Sequence, residues 1–333
     1  MERVTRHDTD ELIIVKGGQS LGIYLGNEMR PTRDLDLNVR LDGLSALDFK
    51  QREEWAIDLV KRACLDPVED GVSFDAANVA VEVRKHQGEG GLRLSVPAKI
   101  HTCNTSFVID IGIGNEMSFE PSRIRVDGVL AHRKAPPPPA EIKIYPLENT
   151  IAEKIASKIE DRYDSIRHKD FYDIWLLMEI ALRLGDLSLL SRGEDEPMTE
   201  DEEALVARIR TALADGTLLS LPEVGISEEC LDRLGYALER TCAHRGTDIP
   251  ADLVGQLHAD FSEHDMQSMQ WANWIRNNVK RLRFEPPMSL GPDARKIGLR
   301  VLIDRLAPFL EDVLAHMPSR QNTLTADGLV APF

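Results

Sequence analysis

Among its four cysteines, Cys64, Cys103, Cys230 and Cys242, the 333-residue chain has no CxxC pair. It has no Cys/His cluster with zinc spacing either, which excludes a zinc ribbon or a disulfide-stapled scaffold. Free and mostly buried thiols are expected. Aromatic residues make up only 5% of the chain, so the core has to be mostly Leu, Ile, Val and Ala. No apolar run approaches a membrane span, and the charged stretch from Met1 to Asp10 is no signal peptide. No membrane partner is expected, and the expected location is cytoplasmic. Bases are outnumbered: 40 Lys and Arg stand against 56 Asp and Glu, for a formal net charge of -16. That balance counts against a protein that merely coats nucleic acid. It leaves room for an enzyme with one basic cleft on an acidic body.

What is present divides into two halves. Leu12 to Lys16 is a short apolar run that ends at Gly17-Gly18, which reads as the entry to a helix over Ser20 to Gly26. Leu35, Leu37 and Val39 alternate with Asp34, Asp36, Asn38 and Arg40, a half-buried strand. Phe49 to Cys64 has helical spacing, with Trp55, Leu59, Val60 and Ala63 on one face. Asn78 to Arg84, Leu92 to Val96 and Phe107 to Ile113 read as further strands. Four prolines, Pro136 to Pro139, form a stiff connector. Beyond it, helices are expected over Ile151 to Glu160, Lys169 to Leu184, Leu205 to Leu213, Glu229 to Cys242, Leu253 to Phe261, Met269 to Leu282 and Ala294 to Met317. Glu194 to Glu203 holds seven acids, the mark of a solvated loop or helix start. The expected division is an α/β part over 1–135, a mainly helical part over 140–318 and a loose tail over 319–333. The fold class is α+β, a mixed sheet with helices followed by a helical C-terminal region.

Arg30-Pro31-Thr32-Arg33-Asp34-Leu35-Asp36-Leu37 carries the most chemistry. Acids at i and i+2 of a strand share a face, while Leu35 and Leu37 turn to the core. Two carboxylates so close repel unless a cation compensates, and together they suit a hard divalent ion. A lone DxD is common and by itself reads as the solvated face of an edge strand. Its company changes that reading. Lys16-Gly17-Gly18-Gln19-Ser20 lies upstream, where glycine backbone at a helix start can offer N–H groups to a phosphate chain. Asp110, in Val108-Ile109-Asp110-Ile111-Gly112, can supply a third carboxylate from another strand. Three carboxylates are the arrangement that metal-assisted phosphoryl chemistry needs.

The order of these motifs, followed by Tyr145-Pro-Leu-Glu-Asn-Thr-Ile-Ala-Glu-Lys154 and His168-Lys-Asp-Phe-Tyr-Asp-Ile-Trp175, resembles the AbiEii/AbiGii nucleotidyltransferase toxins. The MenT toxins belong to the same group, and all are polymerase β-like nucleotidyltransferases. A fainter likeness runs on through Arg245-Gly-Thr-Asp-Ile-Pro250 and Gln270-Trp271. The resemblance implies a polymerase β-like mixed sheet and a metal-dependent transfer of NMP from an NTP to an RNA acceptor, with tRNA the expected RNA. It also implies a toxin paired with a cognate antitoxin. It places Mg2+ or Mn2+ on Asp34, Asp36 and Asp110. It puts Lys16, Gly17, Gly18, Ser20 and Arg33 at the nucleotide. Lys154 and Asp170 join the three aspartates as catalytic residues. The superfamily's Gly-Ser is replaced by Gly18-Gln19, with the serine one place later. An Asp common after Gly-x-Gly is Asn115.

Bland readings compete at several of these positions. Lys154 can be a surface lysine beside Lys158, and Asp170 and Asp173 can be helix N-terminal charges that share a face. Arg276, Lys280, Arg281 and Arg283, beside Trp271 and Trp274, read first as a solvated helix face with tryptophans in the core. Their functional reading is an RNA platform. Arg162, Arg167, His168 and Lys169 form a second such cluster. Two rival functions stay open: transfer to a protein or small molecule, and a degenerate, non-catalytic interaction protein.

Overall fold

The alternation around Asp34 lies near the middle of an eight-stranded mixed sheet in the computed structural model. The structure describes residues 1–25, 32, 34–40, 44, 47–68, 70–86, 89–126, 140–161, 168–192, 197–262, 269–271, 273–274 and 299–321. Arg33, the four prolines, Arg162, Arg167, the basic cluster from Arg276 to Arg283 and the tail from residue 322 lie outside the described residues.

In chain order, helix α1 (Glu2–His7) leads to strand β1 (Ile13–Lys16), helix α2 (Gly17–Leu25), strand β2 (Asp34–Val39) and helix α3 (Phe49–Leu65). Strands β3 (Val72–Phe74), β4 (Ala80–His86), β5 (Glu89–Ile100), β6 (Cys103–Ile113), β7 (Ser122–Val126) and β8 (Ala140–Ile144) follow. The remaining helices are α4 (Leu147–Asp161), α5 (His168–Leu184), α6 (Ser188–Ser191), α7 (Glu200–Asp215), α8 (Glu228–Arg245), α9 (Leu253–Leu257) and α10 (Leu299–Ala315). The described part of the acidic stretch, from Pro197 on, leads into a helix: Thr199 caps α7 by accepting from the Glu202 N–H, and four acids fill the first turn, where the helix dipole favours them.

The sheet runs β3-β5-β6-β2-β1-β8-β7, with β4 also paired to β5. Strand β2 is antiparallel to β1 and parallel to β6; β1 is parallel to β8. Ala140–Ile144, expected in the helical half, is thus a sheet strand that brings the chain back beside β1. Its two isoleucines, Ile142 and Ile144, are buried. One sheet face is aliphatic, with Leu37, Leu92, Leu94, Ile109, Ile111, Val15 and Ile144 buried in the core. Leu21, Tyr24, Ala56, Leu59 and Val60 from α2 and α3 join the same cluster. The scarce aromatics gather in the helical half, where Trp175, Tyr172 and Phe171 of α5 are fully buried. Trp271 and Trp274 stack on each other with ring centroids 5.6 Å apart, and Trp274 also meets Tyr172. The tryptophans pack as core, as their ordinary reading expects. Cys230 and Cys242 are buried thiols, pushed by burial up to about 12, while Cys64 is half-buried and Cys103 exposed.

Candidate metal and nucleotide site

The polar face of the sheet carries a row of charges that the strand register alone lines up. Lys16 of β1 stands opposite Asp36 of β2, Asp36 opposite Asp110 of β6, Asp110 opposite Arg93 of β5, and Arg93 opposite Glu82 of β4. Side chains directly opposite on neighbouring strands point to the same face, so five strands present + − − + − along one line. Asp34 sits two residues before Asp36 on that face. Asp34, Asp36 and Asp110 each offer an oxygen within 4.8 Å of the others, a grouping that could hold a metal ion. The donor set fits a hard divalent cation such as Mg2+ or Mn2+: three carboxylates, with no sulfur or ring nitrogen.

Three like charges on one face are costly without such an ion. Burial raises the Asp36 carboxyl above the usual range, and the neighbouring Asp34 and Asp110 raise it further, while Lys16 and Lys169 draw it back. Thr32 donates its hydroxyl to Asp34 Oδ1 at 2.9 Å, which helps fix the start of the strand. Arg93 grips Asp110 with both arms, Nε to Oδ1 at 2.7 Å and Nη2 to Oδ2 at 2.6 Å. Sequence reading missed Arg93. It lies in an ordinary alternating strand, and only the register of β5 with β6 puts it on Asp110.

Gly17 turns the chain from β1 into α2 with a φ of 68°. A Cβ there would come within 2.7 Å of the Asp36 Cγ, so the backbone touches the carboxylate directly. Gly17 and Gly18 open a nine-residue helix, so its N–H groups and positive dipole end lie beside the acids. Ser20 is fully buried, and its hydroxyl donates to the Gly17 carbonyl at 2.9 Å. The serine therefore holds the turn together.

Lys16 reaches across to α4, where Nζ lies 3.1 Å from Glu153 Oε1. Glu153 also accepts from the Tyr145 hydroxyl at 3.0 Å and from Asn115 Nδ2 at 3.2 Å. Burial would raise this carboxyl, but Lys16, Arg245 and Tyr145 together hold it below the usual range. Asn115 takes part here as a link: its N–H donates to the buried Asn38 of β2. Glu153 was visible in the sequence only as a neighbour of Lys154, yet it is the residue that ties the helical half to Lys16.

Lys154 is buried, with Nζ 2.9 Å from Asp170 and 2.7 Å from Asp173. Both acids are fully buried one turn apart on α5. This trio clamps α4 to α5 and sets the N-terminus of α5, where His168 and Lys169 stand. Of the residues singled out from sequence, Asp34, Asp36, Asp110, Gly17 and Lys16 meet at the sheet. Lys154, Asp170 and Asp173 meet at the helix pair behind it.

A family model described as nucleotidyl transferase AbiEii toxin, type IV TA system, matches residues 1–217. Among solved structures, JHP933 from Helicobacter pylori is 15% identical, with 77% of this chain and 91% of that one covered, at a TM-score of 0.37. A putative nucleotidyltransferase from H. pylori is 11% identical, with 93% of each chain covered and a TM-score of 0.39. MenT4, a nucleotidyltransferase toxin from Mycobacterium tuberculosis, is 17% identical, covering 82% of this chain and 89% of that one, with a TM-score of 0.31. No curated protein matches the chain. With the family model spanning well over half of its length, the chain belongs to the AbiEii nucleotidyl transferase toxins of type IV toxin–antitoxin systems.

Proposed function

We propose that this nucleotidyltransferase moves a nucleoside monophosphate from an NTP to an RNA acceptor, with tRNA the expected RNA, and that Asp34, Asp36 and Asp110 hold Mg2+ or Mn2+ while it does so. The observation that carries the reading is the grouping of these three carboxylates against the Gly17 start of α2. An oxygen-ligated divalent cation there supplies charge for the triphosphate and its leaving pyrophosphate. The chain's own residues do the rest. The Gly17 and Gly18 backbone cradles phosphate oxygens at the helix start. Lys16 and Lys169, both felt electrostatically at Asp36, offset the phosphate charge. Arg33 is assigned to the nucleotide by motif alone. The acceptor hydroxyl oxygen attacks the α-phosphorus, its proton passes to Asp110, and the bond to the β-phosphate oxygen breaks to release pyrophosphate.

Lys154 and Asp170 act as positioning residues in this scheme, since their charges satisfy each other in the interior. The parts over 1–135 and 140–318 then complete one site, because Glu153 and Lys169 reach the sheet's polar face from the helical part. Family membership implies a cognate antitoxin. Among the described residues no helix is long and apolar enough to cross a membrane, and a cytoplasmic site of action suits an RNA acceptor.

The test is incubation of each labelled NTP with total tRNA and with total protein, for the wild type and for Asp34→Ala. Label in RNA that vanishes in the variant supports the reading. Label in protein points to the other acceptor class. No label in any fraction sinks it.

A further inference from the structure

Three acids crowd the polar face of the sheet, and something has to neutralise them when no cation is present. Lys16 is the nearest base by register, but its ammonium is directed to Glu153 on α4. At Asp110 the compensation comes from Arg93. Its guanidinium takes both Asp110 oxygens in a fork, the strongest geometry available to this pair of groups. Arg93 also has an acid on its other flank: Glu82 faces it directly from β4. The Arg93 side chain is about one-third exposed, so it can turn between the two without disturbing the core.

We propose that Arg93 is a placeholder cation, which neutralises the third carboxylate of the site until a divalent cation displaces the guanidinium from Asp110 toward Glu82. The proposal rests on the reading that Asp34, Asp36 and Asp110 hold the metal. Its consequence is regulatory at the level of loading. A divalent ion arriving alone meets a third acid whose two oxygens are both held by the guanidinium. It binds less tightly than the three carboxylates alone would hold it. An ion arriving with a triphosphate brings further oxygen ligands and can complete its shell while Arg93 is displaced. The site then resists filling by free metal and fills with nucleotide. Were Arg93 merely a nearby charge, its removal would tighten metal binding to a similar degree in the wild-type and Asp110→Asn backgrounds.

The experiment is titration of Mn2+ into the protein, first nucleotide-free and then with NTP, followed by calorimetry and by electron paramagnetic resonance of free Mn2+. The proteins are wild type, Arg93→Gln, Asp110→Asn and the double variant. Removing a part-exposed, bidentate pair predicts about tenfold tighter Mn2+ binding by Arg93→Gln than by wild type. In the Asp110→Asn background the Arg93→Gln effect should vanish. Binding by Arg93→Gln where the wild type binds none also supports the proposal. Wild-type binding with equal or weaker binding by Arg93→Gln overturns it and leaves the metal site standing. No Mn2+ binding by any of these proteins, with or without NTP, overturns the metal site and this proposal together. If circular dichroism shows Arg93→Gln unfolded, Arg93→Lys carries the test. It keeps the charge but loses the fork, so Mn2+ binding tighter than wild type supports the placeholder and unchanged binding overturns it.

Discussion

Gly17 is packed so closely on Asp36 that no side chain fits between them: a Cβ would lie within 2.7 Å of the Asp36 Cγ. The same residue has a φ of 68°, in the left-handed region that other residues enter at a cost of roughly 1–2 kcal/mol. Gly17→Ala should therefore both lower the melting temperature and push Asp36 off its position. Nucleotide incorporation is expected to fall at least tenfold, about the effect of displacing a reacting group by a fraction of an ångström. Normal activity in a stably folded Gly17→Ala would show that this contact is not part of the site.

Asp36 is ionised at a cost in the cation-free protein, since burial and Asp34 raise its carboxyl. Asp36→Asn removes a charge from the cluster while keeping its shape. It should raise the melting temperature of chelator-treated protein by a few degrees and abolish nucleotide transfer, the exchange of stability for activity expected at a strained site. A lower melting temperature in the variant would mean that the three acids do not repel in the folded state.

Lys154 is the charge that satisfies two fully buried acids. Lys154→Ala leaves Asp170 and Asp173 without it, and breaking such a pair costs about 3–5 kcal/mol. Denaturant unfolding should show that loss directly. Pairing Lys154→Ala with Asp170→Asn and Asp173→Asn should recover part of it without restoring activity. If Lys154→Ala unfolds like the wild type and only its KM for NTP rises, the lysine is a phosphate ligand and not a clamp.

His168 opens α5 and is almost fully buried against Trp271. Burial and the nearby Lys158 lower its imidazole to about 4, against which a contact from Gln270 acts weakly. The unfolded chain binds this proton below about 6.5, whereas the folded chain holds it off until about 4. Stability from this group is thus complete at neutral pH and declines as pH falls from 6.5 to 4. Urea midpoints measured across that window should fall with acid in the wild type, and the slope should flatten in His168→Phe. A wild-type slope that survives the substitution assigns the acid sensitivity to other groups.

Much of the sheet was legible because its chemistry is local. Asp34 and Asp36 declare their face by a period of two, and Lys16-Gly17-Gly18 marks a strand feeding a helix. Asp170 and Asp173 declare a shared face by their spacing, and the structure shows them on one lysine. What escaped is what depends on pairing. Arg93 meets Asp110 only through the β5–β6 register, and nothing in the alternation of Leu92, Leu94 and Val96 marks the arginine between them. Strands β7 and β8 were missed because each is five residues long and carries charged outward positions, Arg123 and Arg125 in one, Glu141 and Lys143 in the other. Strand β8 was further disguised by following the prolines. Ser20 is assigned to the nucleotide from its place in the motif; that its hydroxyl donates to the Gly17 carbonyl was not legible in the sequence.

Metal-dependent transfer at the three aspartates is the reaction proposed for this site. The most direct measurement is incorporation of label from α-labelled NTP into tRNA by wild type, Asp36→Asn and Asp110→Asn, each with Mg2+ and with excess chelator. Label is expected only for wild type with Mg2+, with both variants and the chelated enzyme at background. Transfer that persists in chelator, or in either aspartate variant at the wild-type rate, would contradict it.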